Sequence, residues 1–263
     1  MELTEHQKRA YREQGYLVCE QLLSGEEVAI LQQALGDLLA TDGPHVKRDT
    51  PDAPPKIIYA PHAASRPFDT LSRLPRILGT VETLLGEPAY IYQARINVKM
   101  PFTSDAWSWH QDFTAWHRGD GMPAPRAMMV AVFLHDCTPA NGPLLVIPGS
   151  HSDELDEILS RERDVPGYSV QRVPLDVIET LARQSTIVDL SAPAGSVAFI
   201  HPTLMHGSAA NLTPWPRSIA YYNFNAVSNA PSDSQRPWFM NNPERSRLTA
   251  TEEGALLRDV TEA

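Results

Sequence analysis

Cysteine is nearly absent: 263 residues hold only Cys19 and Cys137. Two thiols cannot make the dense cross-linking that small secreted domains depend on, so a disulfide framework is excluded and a reducing cytoplasm is expected. Such lone cysteines are more often buried apolar fillers than ligands. Long apolar runs are also missing. None approaches the roughly 20 residues that a helix needs to cross a bilayer. The opening Met1-Glu-Leu-Thr-Glu-His is polar and lacks the basic-then-apolar pattern of a secretory signal. Positive charge is in deficit, with 22 basic against 32 acidic residues and a net charge of -10. That argues against nucleic acid or an anionic membrane as the main partner. Glycine is outnumbered by proline, 14 to 23, which points to many fixed turns rather than long helices. What remains is 42% hydrophobic, enough for a substantial core. No internal repeat or linker divides the chain, so residues 1–263 are expected to form a single domain.

Local signals set the order of elements. Thr4-x-x-Gln7 and Ser24-x-x-Glu27 are capping boxes, and Gly15 is placed to end the first helix. Between them Tyr16-Leu-Val18 predicts a brief strand. Val28, Leu31, Leu35, Leu38 and Leu39 recur at helical spacing, predicting an amphipathic helix to about Ala40 that covers a sheet. Residues 41–66 are rich in Pro, Asp and His and predict a long loop, a candidate lid. Phe68 to Leu85 predicts one or two helices stopped by Gly86.

From there strands dominate. Tyr90–Lys99 alternates and sets Gln93, Arg95, Asn97 and Lys99 on one face. That row is either a solvated face or the lining of a polar pocket, and the pattern by itself favours solvent. Ala127–Leu134 is a continuous apolar run, expected to be a buried strand, and Asn141-Gly142 marks a turn before Leu144–Ile147. Residues 152–170 are charged and expected at the surface. Leu175–Ala182 predicts a short helix. Ile187–Leu190, Ser196–Ile200 and Ser218–Phe224 predict strands, and from Ser228 the chain reads as a polar tail until Leu256-Leu257. Helices followed by many short strands imply an α+β protein: a double-stranded β-helix (jelly-roll, cupin-like) core over about 88–226, flanked by helices.

One stretch carries chemistry. In Trp107-Ser-Trp-His110-Gln-Asp112-Phe-Thr-Ala-Trp116-His117, residues two apart on a strand would aim an imidazole and a carboxylate at one point, with Gln111 facing away. A third ligand is available in His206, at Pro202-Thr-Leu-Met-His206-Gly207-Ser208. Two His and one carboxylate on one face of an iron leave positions open on the other, as in non-haem Fe(II) oxygenases. By spacing alone His-x-Asp is a weak signal, because nine histidines give chance many openings, and the ordinary alternative is a surface pair. The aromatic surround and the placement of His206 add weight. Arg217 opens the next strand, where a guanidinium could hold a dicarboxylate through two parallel hydrogen bonds or sit simply as a surface arginine. Among the other histidines, His117, His135, His151 and His201 weigh less as ligands, and His6, His45 and His62 are expected at the surface.

Several blocks together resemble the phytanoyl-CoA dioxygenase-like family of Fe(II)- and 2-oxoglutarate-dependent oxygenases. These are Tyr11-Arg-Glu-Gln-Gly15-Tyr-Leu-Val, Ile91-Tyr-Gln-Ala-Arg95-Ile-Asn97, Trp109-His110-Gln-Asp112-Phe-Thr-Ala-Trp116-His, Asn141-Gly-Pro-Leu-Leu-Val-Ile-Pro-Gly-Ser-His151 and Asn211-Leu-Thr-Pro-Trp-Pro-Arg217-Ser. The resemblance covers most of the chain and is nearest to the bacterial branch of ectoine hydroxylase and free L-proline 4-hydroxylase. It implies iron ligation by His110, Asp112 and His206. It implies 2-oxoglutarate binding by Arg217, with Ser208, Asn97 and Trp107 beside it, and O2 as the oxidant. It also implies a substrate pocket that includes Gln93, Arg95 and Trp116. Halogenating relatives carry a small residue in place of the carboxylate, so Asp112 implies hydroxylation. Ectoine hydroxylases read His-Ser-Asp where this chain reads His110-Gln-Asp112, so the resemblance implies the branch and not ectoine itself.

Gln93, Arg95 and Arg126 offer hydrogen bonds and charge, and Phe113 and Trp116 offer flat apolar faces. Those groups suit a free amino acid or similar zwitterion better than an acyl-CoA. Arg126 reads equally as an exposed charge. Two other readings stand beside this one: a tailoring oxygenase acting on a natural product or aminophosphonate, and a non-catalytic jelly-roll binding protein. The expected state is a monomer or homodimer.

Overall fold

A computed structural model describes residues 2–103, 106–151, 173–232 and 236–258. The charged stretch at 152–170 lies outside the described residues. Both capping boxes form. Thr4 starts α1 (Glu5–Gln14), which Gly15 ends at φ 80°, and Ser24 starts α2 (Gly25–Leu39). The helical repeat of α2 buries Val28, Leu31, Leu35 and Leu38. Two further helices, α4 (Arg66–Arg73) and α5 (Pro75–Leu85), follow the short α3 (Pro61–Ala64), and Gly86 ends α5 as expected.

The strands form two antiparallel sheets. The larger has the order β1 (Tyr16–Cys19), β9 (Val197–Ile200), β6 (Ala127–Phe133), β11 (Arg217–Ala226), β4 (Ala89–Lys99), β3 (Ile57–Tyr59), β2 (Val46–Lys47). The smaller has the order β5 (Trp107–His110), β10 (His206–Ser208), β7 (Leu144–Val146), β8 (Val188–Asp189). Helix α6 (Asp112–Asp120) follows β5, and α7 (Leu175–Gln184) precedes β8. A last turn, α8 (Ala255–Arg258), buries Leu256.

Strand alternation divides the larger sheet between two cores. On β6, Met128, Val130 and Val132 join the helix-side cluster, whereas Met129, Ala131 and Phe133 face the space between the sheets. On β11, Ala220, Tyr222 and Phe224 go to the helices and Ile219 and Tyr221 go inward. The inward cluster takes Leu144 and Val146 from the small sheet, so the two sheets pack face to face as in a jelly roll.

Three expectations are corrected. Residues 41–66 are not one loop: β2 and β3 extend the large sheet, and Ile57 and Tyr59 line its inner cavity. Pairs and triplets of residues are too short to show alternation among the prolines. The tail beyond Ser228 does contribute to the core, since Phe239 is buried. His62 is not a plain surface residue: its Nδ1 is buried without a hydrogen-bond partner.

Burial pushes the imidazoles of His62 and His201 down from 6.5 to about 4. Below pH 6.5 the unfolded chain therefore binds protons that the folded chain refuses, and stability falls as pH drops toward 4. Thermal melts across that window are expected to show a falling midpoint, with a shallower fall in His62→Gln and His201→Gln. An unchanged slope in both variants would show that these rings do not drive it.

Candidate metal centre and its cavity

Strand register creates the first half of the site. His110 ends β5 and stands directly across from His206 at the start of β10. Cross-strand neighbours share a face, and the two rings lie 4.2 Å apart between centroids. Each ring is pinned by the carbonyl two residues before it, His110 Nδ1 by Ser108 O at 2.7 Å and His206 Nδ1 by Leu204 O at 2.9 Å. A carbonyl can only accept, so both Nδ1 atoms carry the proton and both Nε2 lone pairs are free to ligate.

Asp112 arrives by a different route from the one its spacing suggests. The strand stops at His110, Gln111 caps the helix in extended conformation, and Asp112 is the first residue of α6. Gln111 does turn away from the site, donating Nε2 to Thr203 O at 2.5 Å. Phe113 N donates to Pro202 O at 3.0 Å, so the helix start is bonded to the segment that leads into His206. Asp112 Oδ1 ends 3.7 Å from His110 Nε2, and the three ligand atoms of His110, Asp112 and His206 lie within 4.8 Å of one another. All three residues are buried, so the alternative of an exposed pair is excluded.

Burial, then the neighbouring His206, pushes the His110 imidazole down to about 4, so it is neutral at physiological pH. Burial would raise the Asp112 carboxyl, but Arg95 first, then His206 and His110, hold it below the usual carboxylate range. Asp112 Oδ2 is buried and accepts no hydrogen bond. A buried anionic oxygen without a donor, beside a neutral imidazole that presents its lone pair, fits a divalent cation.

The polar row of β4 faces this cavity. Gln93, Arg95, Asn97 and Lys99 all line it, so the solvated-face alternative is wrong for that strand. Alternation fixes which residues share a face but not whether that face is wet. At one end of the cavity Arg217, only 1% exposed, pairs in register with Lys99. Arg217 Nη2 donates to Gly142 O, and its Nε is buried without a partner. Lys99 Nζ donates to Ser208 Oγ at 2.8 Å and also to Ala209 O. Trp107 and Ser208 line the same cavity. At the other side Arg95 lies over the Tyr221 ring, 5.0 Å from its centroid. Tyr221 and Met240 also line the cavity and are not among the residues expected from the sequence. Tyr221 was visible in the alternation of β11, which turns Ile219 and Tyr221 inward.

Three expected pocket residues lie elsewhere. Trp116 is buried edge-on against Tyr92, 5.3 Å between centroids, in a separate cluster with Tyr90 and Met122. Phe113 packs against that cluster and beside the His117 ring. Because the chain becomes helical at Asp112, the following side chains fan around the helix axis instead of returning to the strand face. Arg126 is half exposed and paired with Glu87 at 3.0 Å, an outer surface charge.

A family model described as phytanoyl-CoA dioxygenase matches residues 11–219. The ectoine dioxygenase of Sphingopyxis alaskensis is 36% identical over 273 residues, spanning 98% of this chain and 89% of the relative. The L-proline trans-4-hydroxylase of Streptomyces griseoviridis is 34% identical over 242 residues, spanning 89% and 90%. Among solved structures, EctD from S. alaskensis with 2-oxoglutarate and 5-hydroxyectoine superposes with a TM-score of 0.84 at 34% identity, covering 95% of this chain and 88% of that one. The carbocyclase SnoK, at 22% identity and a TM-score of 0.73, shares the fold. Sequence match and site geometry agree, and the chain belongs to the phytanoyl-CoA dioxygenase family.

Proposed function

We propose that this chain is an Fe(II)- and 2-oxoglutarate-dependent dioxygenase that hydroxylates an unactivated C–H of a small zwitterion. One oxygen atom of O2 goes to the substrate and the other to succinate, with release of CO2. The observation that carries the reading is the convergence of His110, Asp112 and His206 in a buried cavity that also holds Arg217. Their Nε2 atoms and carboxylate would hold the iron. When bound, ferrous iron supplies the O2 activation that no side chain offers.

The remaining work falls to the chain. Arg217 binds the distal carboxylate of 2-oxoglutarate, and Lys99, which is bonded to Ser208, adds a second positive charge at that end. Asn97 Oδ1, buried without a partner, and Trp107 complete that half of the cavity. Arg95 and Gln93 receive the primary substrate, Arg95 offering its guanidinium to a carboxylate. Met129, Ile57 and Tyr221 supply a largely apolar wall that keeps water from the reacting carbon. Relatives named for ectoine and L-proline support a small cyclic zwitterion. A protein that had merely kept the fold would have no use for two imidazoles with matched tautomers facing an orphaned carboxylate oxygen. Cys19 and Cys137, buried and unbridged, fit a reducing cytoplasm.

Anaerobic addition of Fe(II) and 2-oxoglutarate is expected to give a charge-transfer absorbance, and aerobic turnover is expected to release succinate, faster with L-proline or ectoine present. Asp112→Ala and His206→Ala are expected to lose both signals; iron binding undiminished in both would sink the reading. Arg217→Gln removes a charge-assisted contact of about 1.5–3 kcal/mol, so the KM for 2-oxoglutarate should rise roughly ten- to hundredfold while iron still binds. Lys99→Met is expected to act in the same direction, and a KM for 2-oxoglutarate unmoved by either change would remove these residues from the co-substrate site.

A further inference from the structure

Residues 236–242 return to the edge of β4 as a strap. Asn242 N donates to Tyr92 O and its Nδ2 to Ile91 O, each at 2.9 Å. Phe239 packs on the Tyr59 ring at 5.8 Å, and Tyr59 and Met240 both line the cavity. The Met240 carbonyl accepts from Gln93 Nε2 at 3.0 Å. Gln93 Oε1 then faces the other way and accepts from Arg95 Nη1 at 3.1 Å and from Asn223 Nδ2 at 3.2 Å. Arg95 Nη2 in turn lies 3.9 Å from Asp112 Oδ2. The strap therefore sets which end of the Gln93 amide meets Arg95, and Arg95 stands beside the carboxylate of the triad.

The front of the strap is clamped to the metal-site helix. Arg236 Nε donates to Asp120 Oδ1 at 2.9 Å and its Nη2 to Asp120 Oδ2, a bidentate pair. The Tyr92 hydroxyl donates to the same carboxylate and accepts from Arg236 Nη2 at 2.5 Å. Asp120 ends α6, the helix that Asp112 begins. Side-chain exposure is 7% for Arg236 and 0% for Asp120. Burying an ion pair costs desolvation that apolar residues would avoid, and the best-attested return for that cost is a fixed register.

We propose that Arg236 is a positioning residue for the primary substrate. Paired with Asp120, it seats residues 236–242 so that Met240 walls the cavity and its carbonyl orients Gln93 and, through it, Arg95. This rests on the dioxygenase reading. The co-substrate end is built from Lys99, Ser208 and Arg217 and is not bonded to the strap among the described residues.

The test uses enzyme loaded with Fe(II) and 2-oxoglutarate, with L-proline and ectoine as probes. Arg236→Gln is expected to raise the KM for the turned-over probe at least about tenfold, since small misplacements of positioned groups cost that much or more. The KM for 2-oxoglutarate and the charge-transfer band should stay within about twofold of wild type. Amide hydrogen exchange at Asn242 should accelerate, and Arg236→Lys should recover part of both effects. Met240→Ala is expected to change the ratio of kcat/KM between the two probes while Asn242 exchange stays at the wild-type rate. If Arg236→Gln does not fold, Arg236→Lys and Met240→Ala carry the same comparison. The proposal is overturned if both KM values move together, if neither moves, or if exchange at Asn242 is unchanged. Should wild type turn over neither probe, Asn242 exchange decides. A wild type without the charge-transfer band refutes the dioxygenase reading instead, and exchange still decides whether Arg236 seats the strap.

Discussion

The register between β10 and β5 is the constraint on which the site depends. His206 stands opposite His110 because the two short strands pair at that residue and not one residue away. Side chains alternate faces, so a one-residue slip would turn one imidazole out of the cavity. The large sheet repeats the device where Arg217 pairs with Lys99 and Asn223 with Gln93. That second register has a fault in it: the pairing passes from Gln93 to Ile91 and skips Tyr92. Such bulges re-aim side chains near active sites. Tyr92 is thereby available to the cluster of Trp116 and to the Asp120–Arg236 pair rather than to the helix-side core.

A cavity lined with charged and amide groups is expensive to bury, and the fold surrounds it with apolar packing on both sides. Helices α2, α4 and α5 cover the outer face of the large sheet, and Phe133, Val146, Ile200 and Leu204 fill the space between the sheets beyond the cavity. Within the cavity most polar atoms are satisfied by the chain itself. Those that are not, on Asn97, Asp112 and Arg217, sit on residues that face one shared space. Unsatisfied buried groups are rare in folded proteins and call for an explanation each. A cation supplies one for Asp112 Oδ2, and an anionic co-substrate beside it supplies one for Arg217 Nε.

Much of this was legible in the sequence, and the failures have physical reasons. Capping boxes at Thr4 and Ser24 and glycine stops at Gly15 and Gly86 depend on a few adjacent residues, so local reading found them. The triad was legible because the ligand types and a family resemblance coincided. Its geometry was not, since His-x-Asp fits one strand face and also a strand that ends where a helix begins. The resemblance and their flat apolar faces point Phe113 and Trp116 to the pocket, but helical rotation takes them to another cluster. The strap at 236–242 was invisible because its anchors are single residues, Arg236, Phe239 and Asn242, each fixed by partners more than a hundred positions away. No period runs through such a segment, and composition alone marks it as tail.

Charge sets the last feature apart. The whole chain is acidic, with a net charge of -10, yet among the described residues its cavity places Arg95, Lys99 and Arg217 against a single carboxylate, Asp112. A cleft of one sign with low-dielectric walls focuses field lines and raises the local concentration of opposite charge. Bound iron would make the cavity more positive still, and a dianionic co-substrate would offset only part of that charge. What is left over favours a primary substrate that brings a carboxylate. Among the described residues the lining has no second acidic side chain to receive an ammonium group. A substrate cation would have to be delocalised, as in an amidinium, or be turned toward the carbonyls and amides around Gln93 and Met240. Cyclic zwitterions meet that condition better than flexible cationic amino acids, because the ring fixes the angle between the two charges before binding and little ordering entropy is left to lose.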